Sequence, residues 1–186
     1  MDLQALVERA SQGDHEAFGL LVGARLARLD TAARLILRDA ELARDAVQEA
    51  TLRAWRNLRG LRDPSRFDAW LHRLTVNACL DIARQRRSRV IEIELTPLHD
   101  APVQDASSQV TDAMYIERML SALDPSQRAV IVLHYYLDLS LPETAGALGI
   151  PVGTAKSRLN RALEAMRIKV ADDELSISSA PRERFA

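Results

Sequence analysis

Apolar residues in this chain recur at steps of three and four almost from its start, a period that predicts helices. Leu3, Leu6, Val7 and Ala10 make a short first stripe, which Gly13 stops. Asp14 is placed to cap a second helix, with Phe18, Leu21, Val22, Leu26, Leu29, Ala33, Leu35 and Ile36 as its buried positions. Asp39 is placed to cap a third. Leu42, Ala46, Val47, Ala50, Ala54 and Trp55 form its apolar stripe, and Asp45, Gln48, Glu49, Arg53 and Arg56 its polar face. Gly60 and Asp63-Pro64 mark residues 57–65 as a loop. A fourth helix follows through Phe67, Trp70, Leu71, Leu74, Ala78 and Ile82, and runs out into Arg84-Gln85-Arg86-Arg87. No strand pattern of any length interrupts this half.

The helical stripe then lapses. Residues 88–111 mix Pro97, Pro102, Ser107 and Ser108 with acids, which predicts a linker. The short alternation from Val90 to Leu95 fits an extended segment lying on a partner or, more simply, plain linker. Periodicity resumes near Asp112 with Met114, Ile116, Met119, Leu120 and Leu123. Asp124-Pro125 ends that helix and starts another, since proline is well tolerated at the first helical position. Two further elements are predicted over 142–148 and from Val152 to about Val170, and a disordered tail from Asp172. The fold class is all-α: two small helical domains joined by a flexible linker, the C-terminal one containing a helix-turn-helix. The boundaries are 1–88, a linker 89–111, 112–171 and a tail 172–186.

Composition agrees with helices: only 7 Gly and 7 Pro occur in 186 residues, and aromatics are 4%. Cys79 is the one cysteine, which excludes an internal disulfide and a zinc site on paired thiolates. No stretch approaches the roughly 20 apolar residues of a membrane span, and no leader pattern opens the chain, so a cytoplasmic protein with no membrane insertion is expected. Net charge is -1, which argues against bulk attraction to DNA. The charge is segregated, however. Arginines gather at 84–89 and cations again at 156–169, while acids fill the stretch between them and the start of the tail.

The strongest constellation runs from Leu141 to Leu159, as LPETAGALGIPVGTAKSRL. A helix-turn-helix needs a small residue where its helices cross, supplied by Ala145, and a residue tolerant of positive φ four positions later, supplied by Gly149. Leu148, Ile150, Ala155 and Leu159 then face inward. The second helix carries Lys156, Ser157, Asn160 and Arg161 outward, with Arg158 at its flank, and these are residue types that reach base edges in a major groove. Thr154, near the start of that helix, is placed to cap it or touch a phosphate. A helical hairpin with a solvated basic face is the plainer alternative.

Other features are less specific. The face with Asp45, Gln48 and Glu49 reads equally well as a solvated helix surface. Phe67 and Trp70 are expected in the core, although a loop with Arg59, Arg62, Asp63 and Arg66 beside them is suited to an unstacked base. The cluster beginning at Arg84 either steers nucleic acid or ends its helix favourably against the dipole. No phosphate loop, nucleophile elbow, paired catalytic carboxylate or metal-ligand spacing emerges, so no catalytic residue, metal or cofactor is expected and the chain is read as a non-enzyme.

Four segments, DAVQEATLRAW at 45–55, FDAWLHRLTVNACLD at 67–81, LDPSQRAV at 123–130 and GIPVGTAKSRL at 149–159, together resemble the extracytoplasmic-function (ECF) group of the sigma-70 family. The resemblance implies a sigma factor that binds core RNA polymerase and directs promoter-specific transcription initiation. Asp45, Gln48 and Glu49 would dock on the clamp of the polymerase's largest subunit. Asn57, Arg59, Arg62, Asp63, Arg66, Asn77 and Arg84 would serve the −10 element, whose flipped base the loop would hold. Thr154, Lys156, Ser157, Arg158, Asn160 and Arg161 would serve the −35 element. Promoter DNA and an anti-sigma factor are the further partners implied. Ala46, Thr51, Val76, Thr144 and Ala155 depart from the family's usual choices. Two alternatives stay open: a sigma-like decoy that binds an anti-sigma factor, and a stand-alone helix-turn-helix regulator.

Overall fold

Side-chain caps set several of the helix starts. The Asp14 carboxylate accepts the Ala17 N–H at 3.0 Å, Asp39 accepts from Glu41 and Leu42, and Asp124 accepts from Gln127. The computed structural model describes residues 2–93 and 112–178. The helices are α1 (Leu3–Ser11), α2 (His15–Gly23), α3 (Leu26–Leu37), α4 (Ala40–Asn57), α5 (Phe67–Ile93), α6 (Asp112–Ser121), α7 (Pro125–Ile131), α8 (Leu141–Leu148) and α9 (Val152–Ser178). Single 3-10 turns at Leu58–Gly60 and Pro64–Arg66 shape the connection from α4 to α5. No strand occurs among the described residues.

Three expectations from the sequence need correction. The helix predicted from Asp14 through Ile36 is two, because the chain turns at Ala24 and Arg25 after Gly23. That turn aims Arg25 at α5, where it pairs with Asp68 and lies 5.2 Å from the Phe67 ring centroid. Leu26, expected inside, is 47% exposed as a result. The linker does not begin at 89, because α5 runs on to Ile93. Residues 84–93 hold no Gly or Pro, and Arg and Gln are good helix formers. The first part of the Val90–Leu95 alternation is therefore helical, and residues 94–111 lie outside the described residues. The tail does not become irregular at Asp172 either. α9 continues to Ser178, and Asp173 accepts both Lys169 Nζ at 3.1 Å, one turn back, and Arg118 Nη2 of α6 at 3.2 Å. Residues 179–186 lie outside the described residues.

The larger core is built on α4 and α5. Ala43, Ala46, Ala50 and Ala54 are fully buried on α4, and small side chains at these spacings let α3 and α5 approach closely. Phe67, Leu71, Val76 and Cys79 of α5 meet Leu21, Leu29 and Ile36 there. Burial of each large apolar side chain contributes about 1.5–3 kcal/mol. Ala129, Val132, Leu133, Leu137 and Ala147 of the second half join the same cluster. A smaller cluster, with Leu120, Leu123, Val130, Ile131, Leu159 and Ala162, ties α6 and α7 to α9. Beyond α7 the helix widens into a π turn, Val132–Tyr136, in which the Leu137 N–H donates to the Val132 carbonyl at 2.9 Å.

Candidate functional site

The helix-turn-helix begins at a reciprocal cap. Ser140 N–H donates to the Glu143 carboxylate at 2.9 Å, while Glu143 N–H donates to Ser140 Oγ at 3.4 Å. The Ser140 bonds, helped by the Arg66 charge, hold the Glu143 carboxyl below the usual carboxylate range. α8 then ends at Gly149, whose φ of 64° is the left-handed conformation the turn requires. Ile150 N–H closes back on the Ala145 carbonyl at 3.0 Å. Ala145, Ala155, Leu159 and Ala162 are buried where α8 and α9 meet.

With that face turned inward, α9 exposes Lys156, Asn160 and Arg161, while Thr154, Ser157 and Arg158 are half-buried beside them. Arg161 Nη2 lies 3.4 Å from Ser157 Oγ, and Ser157 Oγ donates to the Thr154 carbonyl at 3.0 Å. Lys156, Arg158 and Asn160 have no polar partner among the described residues. All six residues expected to read DNA thus lie within the first three turns of one helix. The helix start leaves N–H groups unpaired by the helix itself, a setting that favours phosphate oxygens.

The loop between α4 and α5 divides its expected contacts. Arg62 and Arg66 are exposed, whereas Asp63 is committed to the loop itself. Its Oδ1 accepts Ser65 N–H at 3.0 Å and Ser65 Oγ at 2.6 Å, and Arg66 Nε lies 3.3 Å from its Oδ2. These bonds, the Ser65 hydroxyl first, keep its carboxyl below the usual range. Arg59 Nε donates to the Ser11 carbonyl at 3.0 Å, bracing the loop against α1, and Asn57 Nδ2 donates to the Arg53 carbonyl at 2.8 Å. Leu58 is the loop's buried anchor. Phe67 is fully buried, as expected, and Trp55 stacks on His15 at 4.4 Å and meets Phe18 edge-on. Further along α5, Asn77 is half-buried and Arg84 is tied to Asp81 of its own helix.

On α4, Asp45 and Gln48 point outward and have no polar partner among the described residues. Glu49 is different: its carboxylate accepts Arg53 Nε at 2.7 Å, and Arg53 Nη1 reaches Asp81 on α5 at 3.0 Å. Those two carboxylates raise the Arg53 guanidinium above its ordinary value. Sequence reading missed Arg53 and Asp81, because the second link joins residues 28 apart with no local signal. It also missed an apolar groove of about 680 Å³ beside Gln48, walled by Leu26, Ala27, Val47 and Leu52. Leu26 and Leu52 are more than two-fifths exposed there. A flat polar face next to an apolar trough suits a protein partner.

Residues 21–89 match the family described as Sigma-70 region 2, and residues 113–166 match Sigma-70, region 4. The chain is similar to the ECF RNA polymerase sigma factor SigM of Mycobacterium tuberculosis, at 39% identity over 151 residues, covering 81% of this chain and 75% of that protein. It is also similar to the RNA polymerase sigma-E factor of Streptomyces avermitilis, at 33% over 173 residues, 93% of this chain and 96% of the relative. Among solved structures, CnrH in complex with the cytosolic domain of CnrY superposes with a TM-score of 0.66 at 30% identity, covering 92% of this chain and 99% of that one. The sigma factor RpoE from Bartonella quintana, in complex with the anti-sigma factor NepR, shares the fold at a TM-score of 0.69 and 23% identity, over 83% of this chain and 96% of that one.

Proposed function

The chain belongs to the sigma-70 family, in its extracytoplasmic-function group, and from that premise we propose how its surfaces divide the work. It is an RNA polymerase sigma factor that binds core polymerase and directs promoter-specific initiation. Asp45 and Gln48 meet the clamp of the largest polymerase subunit, with the neighbouring groove taking apolar side chains from the same partner. Glu49 contributes mainly by holding α4 to α5 through Arg53. In the −10 region Arg62 and Arg66 meet the DNA backbone, while Asn57, Arg59 and Asp63 give the loop its shape. Asn77 and Arg84 extend that surface along α5. Lys156, Ser157, Arg158, Asn160 and Arg161 read the −35 element, and Thr154 sits by the phosphates. The units that carry these roles are the first half, α1 to α5, and the second half, α6 to α9.

The observation that carries this reading is the outward triad Lys156, Asn160 and Arg161 on a helix whose opposite face is packed. No carboxylate neutralises these residues among the described ones. The chain does no covalent chemistry, works in the cytoplasm with polymerase, and has an anti-sigma factor as third partner. Its net charge of -1 is consistent with DNA affinity supplied mostly by the holoenzyme.

Variant separation tests the assignment. Arg161→Ala is expected to lose about 1–3 kcal/mol of promoter discrimination while core affinity stays unchanged. Asp45→Ala with Gln48→Ala is expected to weaken core binding by about 1 kcal/mol or more, with DNA selectivity intact in the complex that remains. Parallel loss of both properties in either variant would contradict the division of labour.

A further inference from the structure

The first turns of α9 are not polar throughout. The helix is regular from its first residue, because the Ala155 N–H already donates to the Pro151 carbonyl at 3.0 Å. Ala155, Leu159 and Ala162 are packed inward, and Lys156, Asn160 and Arg161 carry hydrogen-bonding groups outward. One turn before Lys156 the side-chain chemistry changes. Pro151, Val152 and Gly153 are all exposed and offer no polar side-chain atom. Val152 is 48% exposed, and no other large apolar side chain is exposed among residues 152–162. Ile168, the next exposed one on α9, is about 24 Å further along at 1.5 Å per residue. The two cannot share one apolar patch.

The fold itself asks for neither Val152 nor Gly153. Singly exposed valines are common on protein surfaces, but this one stands at the end of the helix that would enter a major groove. Gly153 lies within a regular helix, and a Cβ added there would meet nothing within 4 Å. Glycine in a helix is destabilising relative to alanine. The protein thus gives up helix stability for open space that it does not fill, and beside that space it sets a branched apolar side chain. Among the groups that base pairs present in the major groove, the C5 methyl of thymine is the apolar one; the others are hydrogen-bond donors and acceptors.

We infer that Val152 is a further specificity-determining residue: the tip of α9 selects a thymine in the −35 element by contact with its C5 methyl. The missing side chain at Gly153 gives the duplex room to bring that methyl close. Lys156, Asn160 and Arg161, further along the same helix, meet the donor and acceptor edges of neighbouring pairs. The inference rests on the reading of α9 as the −35 helix, and adds to it one base identity fixed by shape rather than by a hydrogen bond.

Uracil tests it, since that base differs from thymine only in lacking the methyl. The −35 element is first selected from randomised duplex DNA by the full-length chain bound to core, and each thymine on either strand is then replaced singly. One replacement is expected to weaken binding about fourfold, the size expected of a single buried methyl. With Val152→Ala the same replacement is expected to have no measurable effect, while Arg161→Ala binds less well yet keeps the uracil penalty. Gly153→Ala is expected to raise Tm and to weaken binding of the element, opposite signs that misfolding cannot produce. Binding indifferent to every uracil, a penalty that survives Val152→Ala, or full binding by Gly153→Ala overturns the inference. Parallel measurements on the free chain keep it distinct from the sigma assignment. Failure to bind core contradicts that assignment, whereas a uracil penalty in the free chain that Val152→Ala abolishes upholds the contact. Enrichment of no sequence by either form overturns both.

Discussion

Thr144 is fully buried on α8 with a hydroxyl that bonds to nothing in the structure. Thr144→Val keeps the shape and removes the orphan, so it is expected to stabilise the fold by about 1 kcal/mol. A gain of about 2–4 °C in Tm would show it, and a loss would mean that the hydroxyl has a partner. Cys79 makes a second case at this scale. Its buried thiol, at about 12 against an ordinary 9.0, resists ionisation. In the window between those values the unfolded chain releases this proton and the folded chain keeps it, so this group's effect is to lower stability as pH rises. Native protein at pH 8 is expected to resist maleimide until denaturant is added; prompt labelling would contradict that burial. Single residues were legible in the sequence where their effect is local. Asp14, Asp39 and Asp124 are caps, and Gly149 is the left-handed residue, as spacing implied. Asp63 and Glu49 were legible as polar surface but not as structural groups, because the Ser65 cap and the Arg53–Asp81 bridge emerge only once neighbouring backbone is folded.

At the scale of elements, α8 is eight residues long and depends on its ends. Ser140→Ala removes the cap and is expected to cost about 1 kcal/mol, read as a lower Tm with weakened −35 selectivity. The Glu143 half of the cap titrates in a definite direction. Its folded carboxyl lies below the ordinary 4.5, so its contribution is complete above that value and disappears as pH falls through the folded one. Ser140→Ala should therefore flatten the acid limb of the stability profile, and an unchanged limb would rule the cap out as its source. The end of α9 carries a related expectation. Asp173→Asn weakens the tie to Arg118 and Lys169, so amide exchange should quicken in residues 172–178 and stay unchanged near Arg161; equal protection throughout would contradict the pinning. Element boundaries were harder to see than elements. Asp172-Asp173 looked like a solvated end because the partner on α6 is distant in sequence. The break at Ala24 was masked by a stripe that continues through it in register.

For the whole molecule, the sequence carried the helical class and the helix-turn-helix, and the four family segments carried the function. It did not carry the packing of one half on the other, since contacts such as Arg28 with Tyr136 join residues 108 apart and leave no periodic trace. A net charge of -1 conceals cations gathered on α9 and in the α4–α5 loop, whereas α4 carries both signs, Glu41, Asp45 and Glu49 beside Arg44, Arg53 and Arg56. Under the proposed roles α9 and the α4–α5 loop face DNA while Asp45 and Gln48 face polymerase, and the sigma assignment requires both. Run-off transcription with purified core polymerase over a pool of randomised promoter-like templates tests it most directly. Discrete transcripts that require this protein, starting downstream of one recurrent pair of elements, are the predicted result. Tight core binding with no transcript above the core-alone background would contradict it and leave a protein that occupies polymerase without directing it.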